Sequence, residues 1–221
     1  MKEAMFWEAR DGGTVLCTLC RQRCVIEPGK RGFCRVRENR DGRLVSLNYG
    51  EPVARHIDPI EKKPLYHFLP RSRAYSIGAR GCNFRCLHCQ NCDISQIEPD
   101  APLGRGEPTP PGDLVREASR AGCESVAYTY TEPTIFYEYA LDTAEAARAA
   151  GLRNVFVTNG YTSLAALDRI APLLDAANVD LKFMRDDLYR EVCGSRLAPV
   201  LETIRGYRER DVWIELTTLL I

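Results

Sequence analysis

From residue 73 onward, short apolar runs alternate with longer amphipathic segments. The runs at 74–78, 125–130, 154–158, 178–183 and 212–220 have the length and composition of β-strands. Strands that alternate with helix-length segments are typical of βαβ units. The pattern therefore predicts an α/β fold built on a parallel sheet.

The segments between these runs carry helix signals. Thr109 and Pro110 resemble an N-cap followed by proline at the first helical position, which predicts a helix reaching Gly122. The stretch 134–150 has apolar residues at helical spacing and ends before Gly151, a suitable residue to follow a helix. Further helices are expected at 163–174 and as two pieces within 186–210.

Before residue 73 the pattern is less regular. Residues 44–70 predict a strand, a turn and a linker, because an apolar run is followed by four prolines. The segment 58–68 mixes charged and aromatic residues, so it is either a solvated connector or a segment near a substrate entrance. We predict an N-terminal cysteine-rich module with its connector at 1–72 and a core domain at 73–221. The Pro- and Gly-rich stretch 98–112 predicts a long loop that could act as a lid.

Composition narrows the class of protein. The 30 basic side chains balance the 30 acidic ones, so there is no overall field that favours nucleic acid or an anionic membrane. The N-terminus has no apolar signal core, and no stretch approaches the length of a membrane span. We expect a cytoplasmic protein, in which the ten cysteines serve as metal or redox ligands rather than disulfides.

Three cysteines lie close together after the first predicted strand of the core. Cys82, Cys86 and Cys89 form a C-x3-C-x2-C spacing. Thiolates select zinc, Cu(I) or iron–sulfur clusters. Three of them suit three irons of a [4Fe–4S] cluster and leave the fourth iron open for chemistry. We therefore predict these cysteines as cluster ligands and catalytic residues.

Cys92 leaves an alternative open. It extends the spacing to C-x3-C-x2-C-x2-C, so four thiolates could close the cluster. The protein would then be an electron-transfer protein with no open iron.

A second group of cysteines lies near the N-terminus, at Cys17, Cys20, Cys24 and Cys34. A turn at Pro28-Gly29 could fold the last of them back onto the other three. Either a tetrahedral zinc ion or a second [4Fe–4S] cluster would suit four thiolates. Zinc is favoured because a structural role needs no redox chemistry. If both cysteine groups held zinc, the protein would be a zinc-stapled binding module.

The C-x3-C-x2-C loop, with Phe84 between its first two cysteines, resembles the radical SAM superfamily. Two further motifs are similar to those of the radical SAM enzyme of the AmmeMemoRadiSam group, which is related to pyruvate formate-lyase activating enzyme. They are Cys-Gln-Asn-x-x-Ile-Ser-Gln at 89–96 and Asp-Pro-Ile-Glu-Lys-Lys-Pro-Leu-Tyr-His-Phe at 58–68. This resemblance implies an open, partial (β/α) TIM-like barrel of about five to six parallel strands. It also implies a [4Fe–4S] cluster that reductively cleaves S-adenosylmethionine to a 5′-deoxyadenosyl radical, which abstracts hydrogen from an unknown substrate.

The resemblance also implies residues that bind the cosubstrate. Glu132 lies where relatives carry a Gly-Gly-Glu-Pro-like stretch that receives the amino group of S-adenosylmethionine. Asn159 belongs to a Thr-Asn-Gly sequence found in activating enzymes, and Asp180 and Lys182 match a pair near the cosubstrate, with the lysine by its carboxylate. With Phe84, these form the predicted cosubstrate site. A helix start at Glu132, a tight turn at Asn159 and a buried Asp180–Lys182 ion pair are the simpler structural explanations.

The partners implied are a reductant such as flavodoxin or ferredoxin, and Memo-like and AMMECR-like proteins. The substrate is left open among a protein glycine, a peptide and a small molecule. The chain stops inside its last apolar run, whereas the family continues through a further loop, strand and helix. We therefore expect a chain truncated at the fifth strand of the core. Cys123 and Cys193 are expected to be small buried residues on helix faces.

Overall fold

A computed structural model describes residues 1–99, 101–103 and 106–220. The predicted lid loop 98–112 includes residues 100, 104 and 105, which lie outside the described residues. The strands are β1 (Lys2–Glu3), β2 (Trp7–Ala9), β3 (Val15–Cys17), β4 (Val25–Ile26), β5 (Arg37–Arg40), β6 (Arg43–Ser46), β7 (Ala54–Pro59), β8 (Arg73–Gly78), β9 (Ser125–Tyr128), β10 (Arg153–Thr158), β11 (Ala176–Asp180) and β12 (Trp213–Thr217). The helices are α1 (Cys92–Ser95), α2 (Pro111–Arg120), α3 (Tyr137–Ala149), α4 (Leu164–Ile170), α5 (Asp186–Cys193) and α6 (Leu197–Glu209).

The core is a six-stranded, mostly parallel sheet in the order β12-β11-β10-β9-β8-β7. Strands β8 to β12 are parallel and adjacent in chain order, as the alternating pattern predicts. Successive right-handed crossovers between adjacent strands place the connecting helices on one face of the sheet. This confirms the α/β class and leaves the opposite face free to be covered by another element.

Strand β7 was not predicted. It pairs antiparallel with β8 from Ala54–Gly78 to Pro59–Arg73 and adds an edge to the core sheet. Its sequence has few apolar residues, and Ile57 is exposed. The strand is formed by its backbone pairing with β8 and therefore gives no clear hydrophobic signal.

The helix predictions agree with the structure except at some ends. Ser163 caps α4 by accepting from the backbone N–H of Ala166 at 3.2 Å, and Gly151 follows α3 with a φ of +79°. The cap of α2 is Pro110 rather than Thr109, so this helix begins one residue later than predicted. The predicted helix at 163–174 ends at Ile170 and continues as a 3-10 turn, because Pro172 has no N–H to donate.

The face of the sheet opposite the helices is covered by residues 60–68, here called the floor segment. Its Ile60 and Leu65 are fully buried against Ala74, Ala127 and Val155 of the sheet. The segment is therefore not a solvated connector. It crosses the sheet from the end of β7 towards β12.

Polar contacts fasten the floor segment at its far end. Glu215 of β12 accepts hydrogen bonds from the backbone N–H groups of Tyr66, His67 and Phe68 at 2.8–3.1 Å. Asn178 of β11 donates to the carbonyl of Pro64 at 3.0 Å. These bonds give partners to backbone groups of the floor segment that have none in a helix or strand.

The N-terminal residues form two three-stranded sheets, β1-β6-β5 and β2-β3-β4. A buried ion pair between Arg37 of β5 and Glu138 of α3 joins them to the core. Glu138 also accepts from the backbone N–H of Met5 at 2.7 Å. Removing one partner of a buried pair leaves an uncompensated charge, so this contact fixes how the N-terminal sheets sit on the helices.

Within the part of the chain that the structure describes, none of the helices combines the length and apolarity needed to cross a lipid bilayer.

We expect Leu65→Ala to lower the free energy of unfolding by about 2–5 kcal/mol, because it leaves a cavity between the floor segment and the sheet. Urea denaturation followed by circular dichroism measures this change. Met184→Ala is the matched control, since Met184 is 70% exposed and its truncation should change stability by less than about 0.5 kcal/mol. Equal effects of the two substitutions would show that the floor segment is not part of the core.

Candidate metal and cosubstrate site

A cavity of about 600 Å³ opens where the parallel strands end. Ligand sites in parallel α/β folds lie at this edge of the sheet. The thiols of Cys82, Cys86 and Cys89 all line this cavity. The structure thus brings the three predicted cluster ligands to one space.

The loop that carries these thiols, residues 81–91, is here called the cluster loop. Gly81 begins it with a φ of +96°, a conformation that favours glycine. A side chain at Gly81 would lie 2.6 Å from the carbonyl oxygen of Cys34 and 2.8 Å from Val36. The N-terminal segment therefore packs directly against the start of the cluster loop.

The C-terminal end of α5 holds the middle of the loop. The backbone N–H groups of Arg85 and Leu87 donate to the carbonyls of Cys193 and Val192 at 2.9 and 3.0 Å. The last carbonyls of a helix have no partner within the helix, so α5 supplies acceptors for the loop. This contact fixes the backbone around Cys86.

Cys82 is buried and receives two weak hydrogen bonds. The Phe84 backbone N–H and the Asn159 side-chain amide lie 3.4 and 3.8 Å from its sulfur. Burial raises the pKa of the Cys82 thiol, and the nearby Glu132 adds to this effect. A bound metal would be needed to hold Cys82 as a thiolate.

Cys86 has a thiol neighbour that the sequence did not reveal. The neighbouring Cys193 thiol lowers the pKa of Cys86, and Cys86 in turn raises the pKa of Cys193. Cys193 is fully buried at the end of α5, as predicted, but its contact with a cluster ligand depends on how α5 packs. No spacing in the sequence links the two residues.

Among the described residues, no three His, Cys, Asp or Glu side chains are arranged to hold a single metal ion. A [4Fe–4S] cluster instead binds each thiolate through a separate iron and so needs its ligands spread around a volume. Three thiols that line one cavity fit this requirement. Their soft donor sulfurs also fit the chemistry of iron–sulfur clusters.

The predicted cosubstrate residues Asn159, Asp180 and Lys182 line the same cavity. The Lys182 ammonium lies 2.6 Å from the Asp180 carboxylate. Burial opposes the charge on Lys182, but Asp180 outweighs it and raises the pKa of Lys182. Lys182 is therefore a charged group that is paired with Asp180 beside the cluster loop.

Phe84 and His88 also line the cavity. The ring of Phe84 is buried and meets the ring of Tyr161 edge-to-face, with centroids 5.2 Å apart. His88 packs in the same manner on Phe183. Burial, and then the charge of Lys182, lowers the pKa of His88, so its ring is neutral at pH 7.

Glu132 lies behind the cavity wall rather than on its surface. It is fully buried, and one carboxylate oxygen accepts from the Thr134 and Thr158 hydroxyls at 2.6 and 2.8 Å. The other accepts from the backbone N–H of Asn159 at 2.8 Å. Burial raises the pKa of Glu132, although these hydrogen bonds oppose the shift. This placement supports a role in positioning Asn159.

Cys92 is exposed at the start of α1 and is not part of the cavity lining. Two residues absent from the predicted site do line it, Lys62 and Lys63 of the floor segment. The motif at 58–68 marked this segment, but only the path of the chain across the sheet brings it under the cluster loop.

The N-terminal cysteines lie close to one another. Cys17, Cys20 and Cys34 are buried and Cys24 is partly buried. Burial and the neighbouring Cys17 and Cys34 raise the pKa of Cys20, and burial raises the pKa of Cys34 to about 11. The backbone N–H of Phe33 lies 3.3 Å from the Cys24 sulfur. These thiols form a second group of soft donors outside the cavity.

The arrangement defines a class of protein, α/β proteins with a three-cysteine loop at the carboxyl ends of a parallel sheet. Residues 76–221 match the family model described as the Radical SAM superfamily. The chain belongs to the radical SAM superfamily, whose members are enzymes that use a [4Fe–4S] cluster and S-adenosylmethionine.

Over its whole length the chain is 46% identical to the uncharacterized protein MJ0808 of Methanocaldococcus jannaschii and spans 65% of that protein. It is 26% identical over 188 residues to the uncharacterized protein MJ0674 of the same organism, covering 83% of this chain and 49% of that protein. The chain thus spans less than two thirds of both relatives.

Solved structures are similar at lower identity. SuiB of Streptococcus suis bound to its precursor peptide SuiA has a TM-score of 0.48 at 16% identity, covering 62% of this chain and 30% of SuiB. TYW1 with a lysine-pyruvate adduct has a TM-score of 0.46 at 15% identity, covering 72% of this chain and 69% of TYW1.

We expect Gly81→Ala to lower the free energy of unfolding by about 2–5 kcal/mol, because it adds a clash with Cys34 to the penalty for positive φ. It should also reduce the iron retained after anaerobic reconstitution. Gly12→Ala is the control, since Gly12 has a φ of +66° and open space around it. The control should lose only about 1–2 kcal/mol. If the two variants match in stability and iron content, the close packing at Gly81 does not matter for the site.

Proposed function

We propose that this protein is a radical SAM enzyme in which Cys82, Cys86 and Cys89 hold a [4Fe–4S] cluster with one open iron. The observation that carries the proposal is the single cavity shared by these thiols and by Asn159, Asp180 and Lys182. When bound, the cluster and S-adenosylmethionine supply a one-electron reductive cleavage that yields a 5′-deoxyadenosyl radical for hydrogen abstraction.

The chain's own residues would bind and orient the cosubstrate. Lys182 provides a cation for its carboxylate, and Asp180 keeps that cation charged and in place. Glu132 accepts from the backbone N–H of Asn159. The side-chain amide of Asn159 donates to the side-chain oxygen of Asn83 in the cluster loop at 2.7 Å. Phe84 closes the wall with an apolar surface and limits the access of water.

The exposure of Cys92 supports this proposal over the alternative of an electron-transfer protein with a closed cluster. Cys92 is not part of the cavity lining, unlike Cys89, and its thiol contacts the Asp93 side chain at 3.7 Å.

We further propose that Cys17, Cys20, Cys24 and Cys34 hold a second metal, with zinc favoured over a second [4Fe–4S] cluster. The four thiols are near one another, and metal binding would draw them around one ion, since the described side chains are not arranged to hold it. The metal itself, and the buried Arg37 guanidinium 4.0 Å from the Cys17 sulfur, would offset the negative charge of four thiolates. This metal would hold the N-terminal segment against Gly81.

Substrate and partners are proposed at the level of class. By resemblance to the AmmeMemoRadiSam group, the substrate is a protein glycine, a peptide or a small molecule, and Memo-like and AMMECR-like proteins are partners. Flavodoxin or ferredoxin would supply the electron.

The direct test is electron paramagnetic resonance of the anaerobically reconstituted, reduced protein before and after S-adenosylmethionine is added. We expect a cluster signal that shifts on addition, because the cosubstrate binds the open iron. Cys92→Ala is the control and should show the same signal and the same shift. A wild-type signal that does not move while Cys92→Ala acquires a shift would establish a closed cluster and overturn the proposal.

Metal analysis separates the two cysteine groups. We expect Cys86→Ala to lose the cluster's iron and to keep the N-terminal metal, since the two ligand sets do not overlap. Cys20→Ala should lose the N-terminal metal and keep the cluster signal. Unchanged iron in Cys86→Ala would contradict the cluster assignment, and unchanged metal content in Cys20→Ala would contradict the second site.

A further inference from the structure

We propose that Lys62 and Lys63 of the floor segment form a subsite for an anionic group, a carboxylate or a phosphate, in the cavity that they line. The assignment of that anion to the substrate rests on the proposed radical SAM function. The lysines themselves line the cavity whatever that function is.

Two ammonium groups share one carboxylate. Lys62 and Lys63 each lie 2.8 Å from an oxygen of Asp58, and the Tyr130 hydroxyl donates to Asp58 at 2.7 Å. Burial opposes the charge on Asp58, but these three contacts outweigh it and hold its pKa well below the usual range. Asp58 is thus ionised, and the group retains one excess positive charge facing the cavity.

The two lysines have different surroundings. The Lys63 side chain is 2% exposed and lies over the ring of Tyr130, 4.5 Å from its centroid. The Lys62 side chain is 61% exposed, so its ion pair with Asp58 contributes little free energy in water. An ammonium group has three N–H donors. Lys62 can therefore keep its bond to Asp58 Oδ1 and offer a second one to a bound anion, while Lys63 and Tyr130 bond to Oδ2.

The position of this group is fixed before any ligand arrives. Ile60 and Leu65 anchor the floor segment on either side of the lysines and are fully buried. Tyr130 holds a φ of +67°, which is unfavourable for a large side chain, and its carbonyl accepts from Asn91 of the cluster loop at 2.6 Å. A preorganised cation lowers the cost of binding.

The ligand should be an anion rather than a cation. Both oxygens of Asp58 already accept bonds from ammonium groups, and two ammonium groups outnumber this one carboxylate. Lys182 is neutralised by its own partner, Asp180, beside the cluster loop. The floor is therefore the part of the cavity lining where positive charge exceeds negative charge among the described residues.

The test measures binding of two simple probes, inorganic phosphate and succinate, to the reconstituted protein at constant ionic strength. Phosphorus NMR line broadening follows the first probe, and proton saturation-transfer NMR follows the second. We expect saturable binding, weakened about tenfold by Lys62→Met, because one charge-assisted contact is lost. The probe that binds more tightly identifies the anionic group.

Lys30→Met is the matched control, since Lys30 is exposed and its loss changes the net charge by the same amount. It should bind the probes like the wild type. Equal binding by Lys62→Met and wild type, or no saturable binding of either probe, would overturn the subsite and leave Lys62 and Lys63 as structural partners of Asp58.

The cosubstrate experiment keeps the two proposals separate. Lys62→Met should keep the shift of the cluster signal with S-adenosylmethionine, and loss of that shift would place Lys62 in the cosubstrate site and overturn a separate subsite. If the wild type shows no shift but Lys62→Met still loses probe binding, the subsite stands and the radical SAM proposal fails.

Discussion

The close contact between Gly81 and the main chain of Cys34 is the constraint on which the site depends. It leaves no room for a side chain where the cluster loop leaves β8. The N-terminal segment therefore forms part of the wall that shapes the cluster loop. Gln22 continues this contact by donating to the carbonyl of Asn83 at 2.9 Å. The two groups of cysteines are joined through backbone packing.

Helix α5 completes the support from the other side. Its terminal carbonyls accept from the cluster loop, and its last residue, Cys193, meets Cys86. Groups beside the sulfurs of a cluster tune its reduction potential, so Cys193 would link the end of a helix to the electronic properties of a bound cluster. The loop is thus held at its start by the N-terminal segment and in its middle by α5.

The floor segment lies between the small apolar core that it forms with the sheet and the polar cavity at the ends of the strands. Ile60 and Leu65 fill the region near the beginnings of the strands, where small residues such as Ala74 and Ala176 leave room. Lys62 and Lys63 then face the cavity between these anchors. One short segment therefore supplies both a hydrophobic core and the charge of the cavity.

The sequence by itself determined the elements with a strong local signal. The five parallel strands, the main helices and the three thiols of the cluster loop follow from apolar runs, caps and cysteine spacing, which depend on neighbouring residues. Only the tertiary structure decided where β7 pairs and how the floor segment crosses the sheet. It also decided that Glu132 is buried behind the cavity wall and that Cys193 lies beside Cys86. Each of these depends on packing between residues far apart in the chain, such as Leu65 against Val155, and such contacts leave no periodic pattern in the sequence.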